Sequence, residues 1–234
     1  MSSGFLPLAE AGPLIAASEL IDSLDLSARA TIEGRPRLVA AMIGSADGRA
    51  AVQGRSVGLG HPDDRALLRG LREGADAVVV GAATVRAEHY ANLFDGPERP
   101  LIAIVTRSGD IPWEVGLFTE PDARVAIFSD APVEAPDGIA AQVDVRGSAA
   151  PAAVLADLGS RDGAELVLCE GGPRLLRAFA AEGLLDDLVL TVAPLLVAGD
   201  APGPLAGPAL DPPARLVLRG VWRADDHAFL HYGT

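Results

Sequence analysis

Lysine is missing from this sequence, so its 19 basic Lys/Arg side chains are all arginines. A chain without lysine cannot carry a phosphate-loop lysine, a Schiff-base lysine or a lysine general base. Acidic side chains outnumber the arginines and give a net charge of −13 at pH 7. Nucleic-acid surfaces need clustered positive charge, so no nucleic-acid partner is expected. Any anionic ligand must be held by a few well-placed arginines.

Cysteine is almost absent as well, since Cys169 is the single one. This excludes an intramolecular disulfide and any metal site built from several cysteines. Cys169 ends an apolar run and is therefore expected in the core. Of the four histidines, His227 and His231 have the spacing of a helical metal pair, but they lie on a predicted strand. No metal site is predicted.

Signals for export and for membrane insertion are also missing. The first 28 residues contain no arginine, unlike the basic start of a secretory signal peptide. The longest apolar stretch, residues 183–199, is interrupted by Asp186 and Asp187 and is not predicted to span a membrane. We expect a cytoplasmic protein with no membrane partner. The signatures of Rossmann dehydrogenases, phosphate-loop enzymes, serine hydrolases and zinc proteases do not occur either.

What is present, from residue 35 onward, is an alternation of short apolar runs and helical patterns. It predicts one α/β domain over residues 35–234, with a mostly parallel sheet covered by helices on both faces and antiparallel C-terminal strands. Residues 1–34 are weakly patterned and are predicted to form an N-terminal packing arm. Strands are predicted at residues 38–43, 77–80, 101–106, 124–128, 166–169, 188–197, 216–222 and 228–232, and helices at residues 82–87, 150–158, 174–181 and from His61 or Pro62 onward. The strand over residues 188–197 is predicted to be broken by Pro194.

Two strand-to-helix loops have a chemical logic, because ligands of such sheets bind outside the carboxyl ends of the strands. In the first loop, small residues allow a ligand close to the backbone and Thr84 offers a hydroxyl; a simple helix cap is the alternative. In the second, Gly171 and Gly172 precede Pro173, which suits a first helical turn whose free N–H groups attract an anion. Glu170 is expected to face this cleft, with a solvated glutamate as the alternative.

Four short runs occur in the order and spacing of one family: residues 41–49, 81–88, 170–173 and 183–196. From Pro36 to the C-terminus the chain resembles the reductase domain of the riboflavin-pathway bifunctional deaminase/reductase. The zinc signature of the deaminase half does not occur, so the resemblance is to a stand-alone reductase. It implies a dihydrofolate-reductase-like fold, NADPH as cofactor, a small pyrimidine or pterin substrate and a homodimer. Arg107 is placed to meet the 2′-phosphate of NADPH.

The resemblance also implies site residues by position. Ser56, Arg72, Asn92 and Glu170 are expected to line the substrate pocket, with Arg72 pairing a phosphate or carboxylate. Glu170 is the first choice as proton donor, provided that partial burial favours its protonated form. For Asp47, a catalytic role and a structural role in the turn before Arg49 are both open. The expected cofactor contacts are Gly81, Thr84, Glu88, Thr106, Arg107, Gly171, Gly172, Pro173, Arg174, Leu175 and Leu176.

The implied activity is reduction of a ribosylaminopyrimidine phosphate by hydride from the nicotinamide. The sequence departs from the family at two cations: Ala41 stands where a lysine usually reaches the pyrimidine, and residues 92–95 lack an expected arginine. Charge-assisted hydrogen bonds contribute about 1.5–3 kcal/mol each, so this substrate should bind less well. Dihydrofolate or dihydropterin reduction on the same fold is one alternative, with Arg72 holding a glutamate-like carboxylate. A non-catalytic dinucleotide-binding protein is the alternative of another class.

Overall fold

The structure, a computed structural model, describes residues 15–26, 34–91, 93–94 and 99–234. Within these ranges nine strands form a single sheet in the order β5-β4-β3-β2-β6-β1-β7-β9-β8. The strands are β1 (Arg37–Ser45), β2 (Ala77–Gly81), β3 (Leu101–Thr106), β4 (Arg124–Ser129), β5 (Gln142–Gly147), β6 (Leu166–Cys169), β7 (Asp187–Ala193), β8 (Val217–Ala224) and β9 (His227–Gly233).

The direction of the strands agrees with the prediction. Strands β1 to β7 all run parallel to one another. Strand β9 is antiparallel to both β7 and β8, and it forms with β8 the predicted C-terminal pair. All carboxyl ends of the parallel strands therefore meet at one edge of the sheet, where the two predicted loops begin.

Five helices cover the sheet within the described ranges: α1 (Ala17–Ser23), α2 (Pro62–Gly74), α3 (Ala82–Glu88), α4 (Pro151–Asp162) and α5 (Pro173–Ala181). On β2, successive side chains point to opposite faces, so Val78 joins the core under α1, α2 and α3 while Val79 joins the core under α4 and α5. Helix α1 packs into the first core through Leu20 and Leu24. Most of the predicted N-terminal arm lies outside the described residues, so its packing role stays a prediction.

Two details of the strand prediction need correction. Strand β7 ends at Ala193, at the predicted break, because Pro194 has no N–H to donate to the ladder; the strand does not resume over residues 195–197. Strand β5 was not predicted at all. Its side chains are mostly exposed or half-buried, as expected of an edge strand, so it lacks a continuous apolar run.

Buried ion pairs hold the amino end of the sheet together. Asp187 accepts hydrogen bonds from Arg37 at 2.7 Å and from His231 at 2.8 Å. Burial opposes the charge of Asp187, but these two partners outweigh it and lower the pKa of the carboxyl. Asp187, one of the two acidic residues that interrupt the apolar stretch, thus has two structural partners, Arg37 and His231.

Cys169 is fully buried, which confirms its predicted place in the core. Burial raises the pKa of its thiol to about 12, so it stays protonated and unreactive at neutral pH. In the part of the chain that the structure describes, no helix has both the length and the apolar character needed to cross a bilayer. The same residues contain no group of three or more metal-ligating side chains.

Candidate active site

A cavity of about 390 Å³ lies at the carboxyl edge of the sheet, between β1, β7 and the helices α2 and α3. Its size falls in the usual range for small-molecule sites, about 300–1,000 Å³. It brings together seven residues that the sequence singled out: Ser56, Arg72, Thr84, Glu88, Glu170, Gly172 and Pro173.

The two strand-to-helix junctions meet at this cavity. The Gly81 N–H donates a 2.9 Å hydrogen bond to the Gly171 carbonyl, which ties the end of β2 to the end of β6. A Cβ added to Gly172 would lie 2.6 Å from Thr84 Oγ1, closer than two such atoms approach. Glycine is therefore required at position 172, where the backbone packs directly against the threonine hydroxyl.

The first turn of α5 offers less free backbone than the sequence implied. Both Leu175 and Leu176 donate their N–H groups to the Gly172 carbonyl at 3.0 Å. The side chain of Leu176 is fully buried in the core, whereas Arg174 is exposed. The Gly171–Gly172 backbone and the Arg174 side chain can therefore contact an anion here, whereas the two leucine N–H groups are already hydrogen-bonded.

Thr106 and Arg107 end β3, which is the neighbour of β2, and do not line the cavity. Thr106 is buried, with its hydroxyl 3.4 Å from that of Ser108. Arg107 is exposed. The pair therefore lies beside the junction that carries Thr84, one strand further from the cavity.

The central polar feature of the cavity is an ion pair between Arg72 of α2 and Glu170. Two guanidinium nitrogens donate to the two carboxylate oxygens at 2.5 and 2.7 Å. The Tyr90 hydroxyl donates a third hydrogen bond to Glu170 at 2.7 Å. The side chains of Arg72 and Glu170 are only 15% and 4% exposed, so water screens the pair little.

The electrostatics of this triad follow from burial and the Glu170 charge. Burial opposes the charge of Arg72, but the hydrogen bonds and attraction of Glu170 outweigh it and raise the pKa of the guanidinium. Burial, together with the nearby Glu170 carboxylate, raises the pKa of the Tyr90 hydroxyl, which stays a hydrogen-bond donor. Sequence reasoning missed Tyr90, which follows α3 without any motif of its own.

Glu88 and Ser56 line the cavity and contact each other. The Ser56 N–H donates to Glu88 Oε1 at 2.7 Å, so the carboxylate fixes the loop before α2. The predicted roles of Glu88 toward the cofactor and of Ser56 toward the substrate stay predictions. Asn92, the remaining predicted substrate contact, lies outside the described residues.

Asp64 is the functional candidate that the sequence reading overlooked. It lies in the first turn of α2, where a negative charge interacts favourably with the helix dipole. That common role gave no reason to predict a function for it. In the structure it lines the cavity and is hydrogen-bonded to the buried Thr191 of β7. Burial raises the pKa of its carboxyl, although Thr191 and the nearby His227 partly offset that effect. A carboxyl of this kind can hold a proton inside a binding site.

Asp47 does not line the cavity. Its carboxylate accepts hydrogen bonds from the Ser45 hydroxyl at 2.5 Å and from the N–H groups of Val197 and Ala198 at 3.1 and 2.7 Å. These bonds, led by the one from Ser45, lower the pKa of Asp47 to about 2. In the structure Asp47 thus contacts Ser45 and the segment after β7, and both of its predicted roles stay predictions.

This fold is shared with known reductases. A pyrimidine reductase-like protein from Corynebacterium diphtheriae has a TM-score of 0.68 and 24% identity, with 85% of this chain and 91% of that chain covered. RibD from Acinetobacter baumannii gives 0.73 and 23%, covering 86% of this chain and 58% of that chain. The riboflavin biosynthesis reductase of Saccharomyces cerevisiae gives 0.68 and 16%, covering 92% and 97%. These likenesses define the class of this chain by its fold.

Within this class, the chain belongs to the RibD C-terminal domain family, whose model matches residues 36–229. The riboflavin biosynthesis protein RibD of Mycobacterium tuberculosis is 30% identical over 173 residues, which is 71% of this chain. The chain spans 44% of the length of that relative. The resemblance drawn from the four sequence runs is confirmed, and so is the predicted fold class.

Proposed function

We propose that this chain is an NADPH-dependent oxidoreductase that reduces a ribosylaminopyrimidine-type substrate, the reaction expected of a riboflavin-pathway reductase. The observation that carries the proposal is the close approach of Gly172 to Thr84 at the cavity, where two strand-to-helix junctions meet. Membership of the RibD C-terminal domain family supports the same activity.

The residues present fit a nicotinamide dinucleotide. A side chain at position 172 would collide with Thr84, so the glycine lets the two junctions meet and leaves their backbone free of side-chain bulk for a diphosphate. The exposed guanidinium of Arg174 lies in the first turn of α5, and Arg107 lies at the end of β3. We assign the diphosphate to the Thr84 and Gly172 junctions and the 2′-phosphate to Arg107. When bound, NADPH supplies the hydride.

The chain itself must orient the substrate, exclude water and manage a proton. Glu170 already accepts three hydrogen bonds from Arg72 and Tyr90, which suits it to fix the pocket wall. Asp64 is the carboxyl whose raised pKa lets it hold a proton in the cavity. We therefore propose Asp64 as proton donor, in place of the Glu170 that the sequence favoured, with Thr191 orienting its carboxyl.

A second substrate class, the dihydropterins, is favoured by the charges around the cavity. Among the described lining residues, Asp64, Glu88 and Glu170 are acidic, and the single arginine, Arg72, is neutralised by Glu170. Such walls oppose a substrate phosphate. A pterin need not carry a phosphate, and a carboxylate such as that of Asp64 can accept from the two adjacent N–H donors of its 2-amino-4-oxopyrimidine ring.

One assay tests the activity and separates the two substrates. The purified chain is given NADPH and either the ribosylaminouracil phosphate or a dihydropterin, and the loss of the reduced-nicotinamide absorbance is followed. Oxidation with the uracil compound supports the first substrate, and oxidation with the dihydropterin alone supports the second. NADPH binding without oxidation of either would overturn the enzyme proposal and leave a non-catalytic dinucleotide-binding protein.

A homodimer is the assembly that we propose, through the β8 edge of the sheet. On this strand Val217 and Leu218 are 49% and 53% exposed, which is unusual for large apolar side chains. Leu196, in the loop after β7, is 85% exposed. An unpaired edge strand with exposed apolar residues is a surface that a second copy can cover.

A further inference from the structure

A long segment without helix or strand follows β7, and its contacts point to a function. We name residues 194–209 the strap. It runs across the carboxyl edge of the sheet from the turn after β1 to the first turn of α5, and it is hydrogen-bonded to both. The proposed reaction does not explain why a segment without helix or strand makes so many hydrogen bonds to the turn after β1 and to α5.

The first attachment is made by Asp47. Its two carboxylate oxygens accept separately from two consecutive backbone N–H groups of the strap, those of Val197 and Ala198, at 3.1 and 2.7 Å. The Ser45 hydroxyl holds the carboxylate in this orientation at 2.5 Å. A charged acceptor makes these bonds stronger than neutral ones.

Arg49 and its neighbour make the second attachment. The Arg49 guanidinium donates to the Ala201 carbonyl at 2.9 Å, and the Ala50 N–H donates to the Pro202 carbonyl at 2.8 Å. Pro202 and Ala50 both line the cavity. The strap is therefore part of the cavity wall and is fixed there by the residues around Asp47.

The far end of the strap is attached to α5. The Ala206 N–H donates to the Pro173 carbonyl at 3.1 Å. Arg177 donates to the carbonyls of Pro208 and Ala209 at 2.8 and 3.2 Å. Pro173 lines the cavity as well, so the strap connects the wall at β1 with the junction that follows β6.

We propose that the strap is a positioning element of the binding site, and that Asp47 and Arg49 are the positioning residues that hold it against the cavity. The strap fixes the distance between the turn after β1 and the first turn of α5, and it keeps Pro202 in the wall. Releasing it widens the cavity beside the proposed cofactor junction and admits water. This inference rests on the proposed function only in taking the cavity as the reductase site.

The charge state of Asp47 agrees with this role. Its hydrogen bonds lower the pKa to about 2, so the carboxylate is an acceptor throughout the neutral range. A residue that never holds a proton there cannot donate one to a substrate. Asp47 consequently acts through the strap and not on the reacting atoms.

Hydrogen–deuterium exchange of the ligand-free protein tests the attachment directly. In Asp47→Ala we expect the amides of residues 195–203 to exchange about tenfold faster or more, because two bonds to a charged acceptor are lost. Asp47→Asn should exchange at an intermediate rate, since one acceptor oxygen remains. Helix α4 is the internal reference, and Asp137→Asn, which removes an exposed carboxylate elsewhere, is the matched control. Arg49→Met should loosen the same segment if Asp47→Ala does not fold.

NADPH binding and turnover complete the test. We expect the cofactor Kd and KM to rise several-fold in Asp47→Ala, with partial rescue in Asp47→Asn and an unchanged shape of the kcat pH profile. Unchanged exchange in both Asp47→Ala and Arg49→Met would overturn the proposal, as would the loss of one limb of the pH profile. Because exchange is measured without ligand, a failure of the strap is distinguishable from a failure of the reductase proposal.

Discussion

Arg72 and Glu170 lie 98 positions apart in the sequence, and the fold brings them together as a two-point ion pair at 2.5 and 2.7 Å inside the cavity. The pair joins α2 to the end of β6, and the Tyr90 hydroxyl completes it. Arg72 was expected to hold an anion of the substrate. In the structure Glu170 is already paired with Arg72, so a substrate anion must compete with a buried carboxylate.

Glu170→Gln should destabilise the protein by about 3 kcal/mol, because it leaves the charge of Arg72 buried without its partner. Removing both charges in Arg72→Met/Glu170→Met should cost less than Glu170→Gln alone. Glu134→Gln, at an exposed glutamate, is the control. The measurement is the free energy of unfolding in urea. A Glu170→Gln variant as stable as the wild type would show that the pair contributes nothing.

Gly172→Ala should force the two junctions apart, since the new Cβ would lie 2.6 Å from Thr84 Oγ1. We expect a loss of stability of about 1–3 kcal/mol, typical of overpacking, and roughly tenfold weaker NADPH binding. Adding Thr84→Ala should recover the stability by removing the clashing oxygen. Gly74→Ala is the matched control, because nothing lies within 4 Å of a Cβ at that position. Equal losses in both alanine variants would refute a close approach specific to Gly172.

Asp64→Asn should lower kcat by about a hundredfold or more if Asp64 donates the proton, the usual range for a general acid. Its effect on stability has the opposite sign. Burial raises the pKa above 3.8, so the folded wild type loses stability as the pH rises from below 3.8 through the raised value. The asparagine variant should therefore be more stable than the wild type at pH 7.

That gain should disappear in acid, where Asp64 is protonated in both the folded and the unfolded state. Thermal unfolding of the two proteins between pH 3 and 8 measures the difference. A variant that keeps normal turnover with both candidate substrates would remove Asp64 from the mechanism. Thr191→Val removes the hydrogen bond to Asp64 but leaves the carboxyl in place. Comparing it with Asp64→Asn separates the effect of orienting the carboxyl from the effect of removing it.

Leu218→Glu should convert the proposed homodimer to a monomer by placing a charge on the β8 edge. Val145→Glu is the matched control, because Val145 is a 43% exposed apolar residue on β5, the opposite edge of the same sheet. Sedimentation equilibrium measures the mass of both variants. A wild type that is already monomeric, or a dimer that only Val145→Glu dissociates, would refute the proposed interface.

The centre of the sheet was predictable because β2, β3 and β6 are buried on both faces and form short apolar runs between turn signals. Val78 and Val79 belong to such a run, whereas the half-exposed β5 does not. Pro194 was predicted to break the strand over residues 188–197, and β7 ends there without resuming. A proline inside an apolar run is a local signal, and here it outweighs the hydrophobicity of the residues that follow.

The site was predictable where loop chemistry is local and unpredictable where partners are distant. Gly172 and Thr84 were identified from their own loops, and the structure brings them into contact. Asp64 was missed because its partner Thr191 lies on another strand and only the fold makes it a cavity residue. The ion pair between Arg72 and Glu170 likewise joins residues that are far apart in the sequence, so no local spacing predicts it.

The most direct test of the account is a crystal structure of the chain with NADPH bound. We predict that the diphosphate lies against both Thr84 and the Gly171–Gly172 backbone, with the nicotinamide in the cavity that Asp64 and Glu170 line. Electron density for the nucleotide in another crevice, with these two junctions unoccupied, would contradict the central claim.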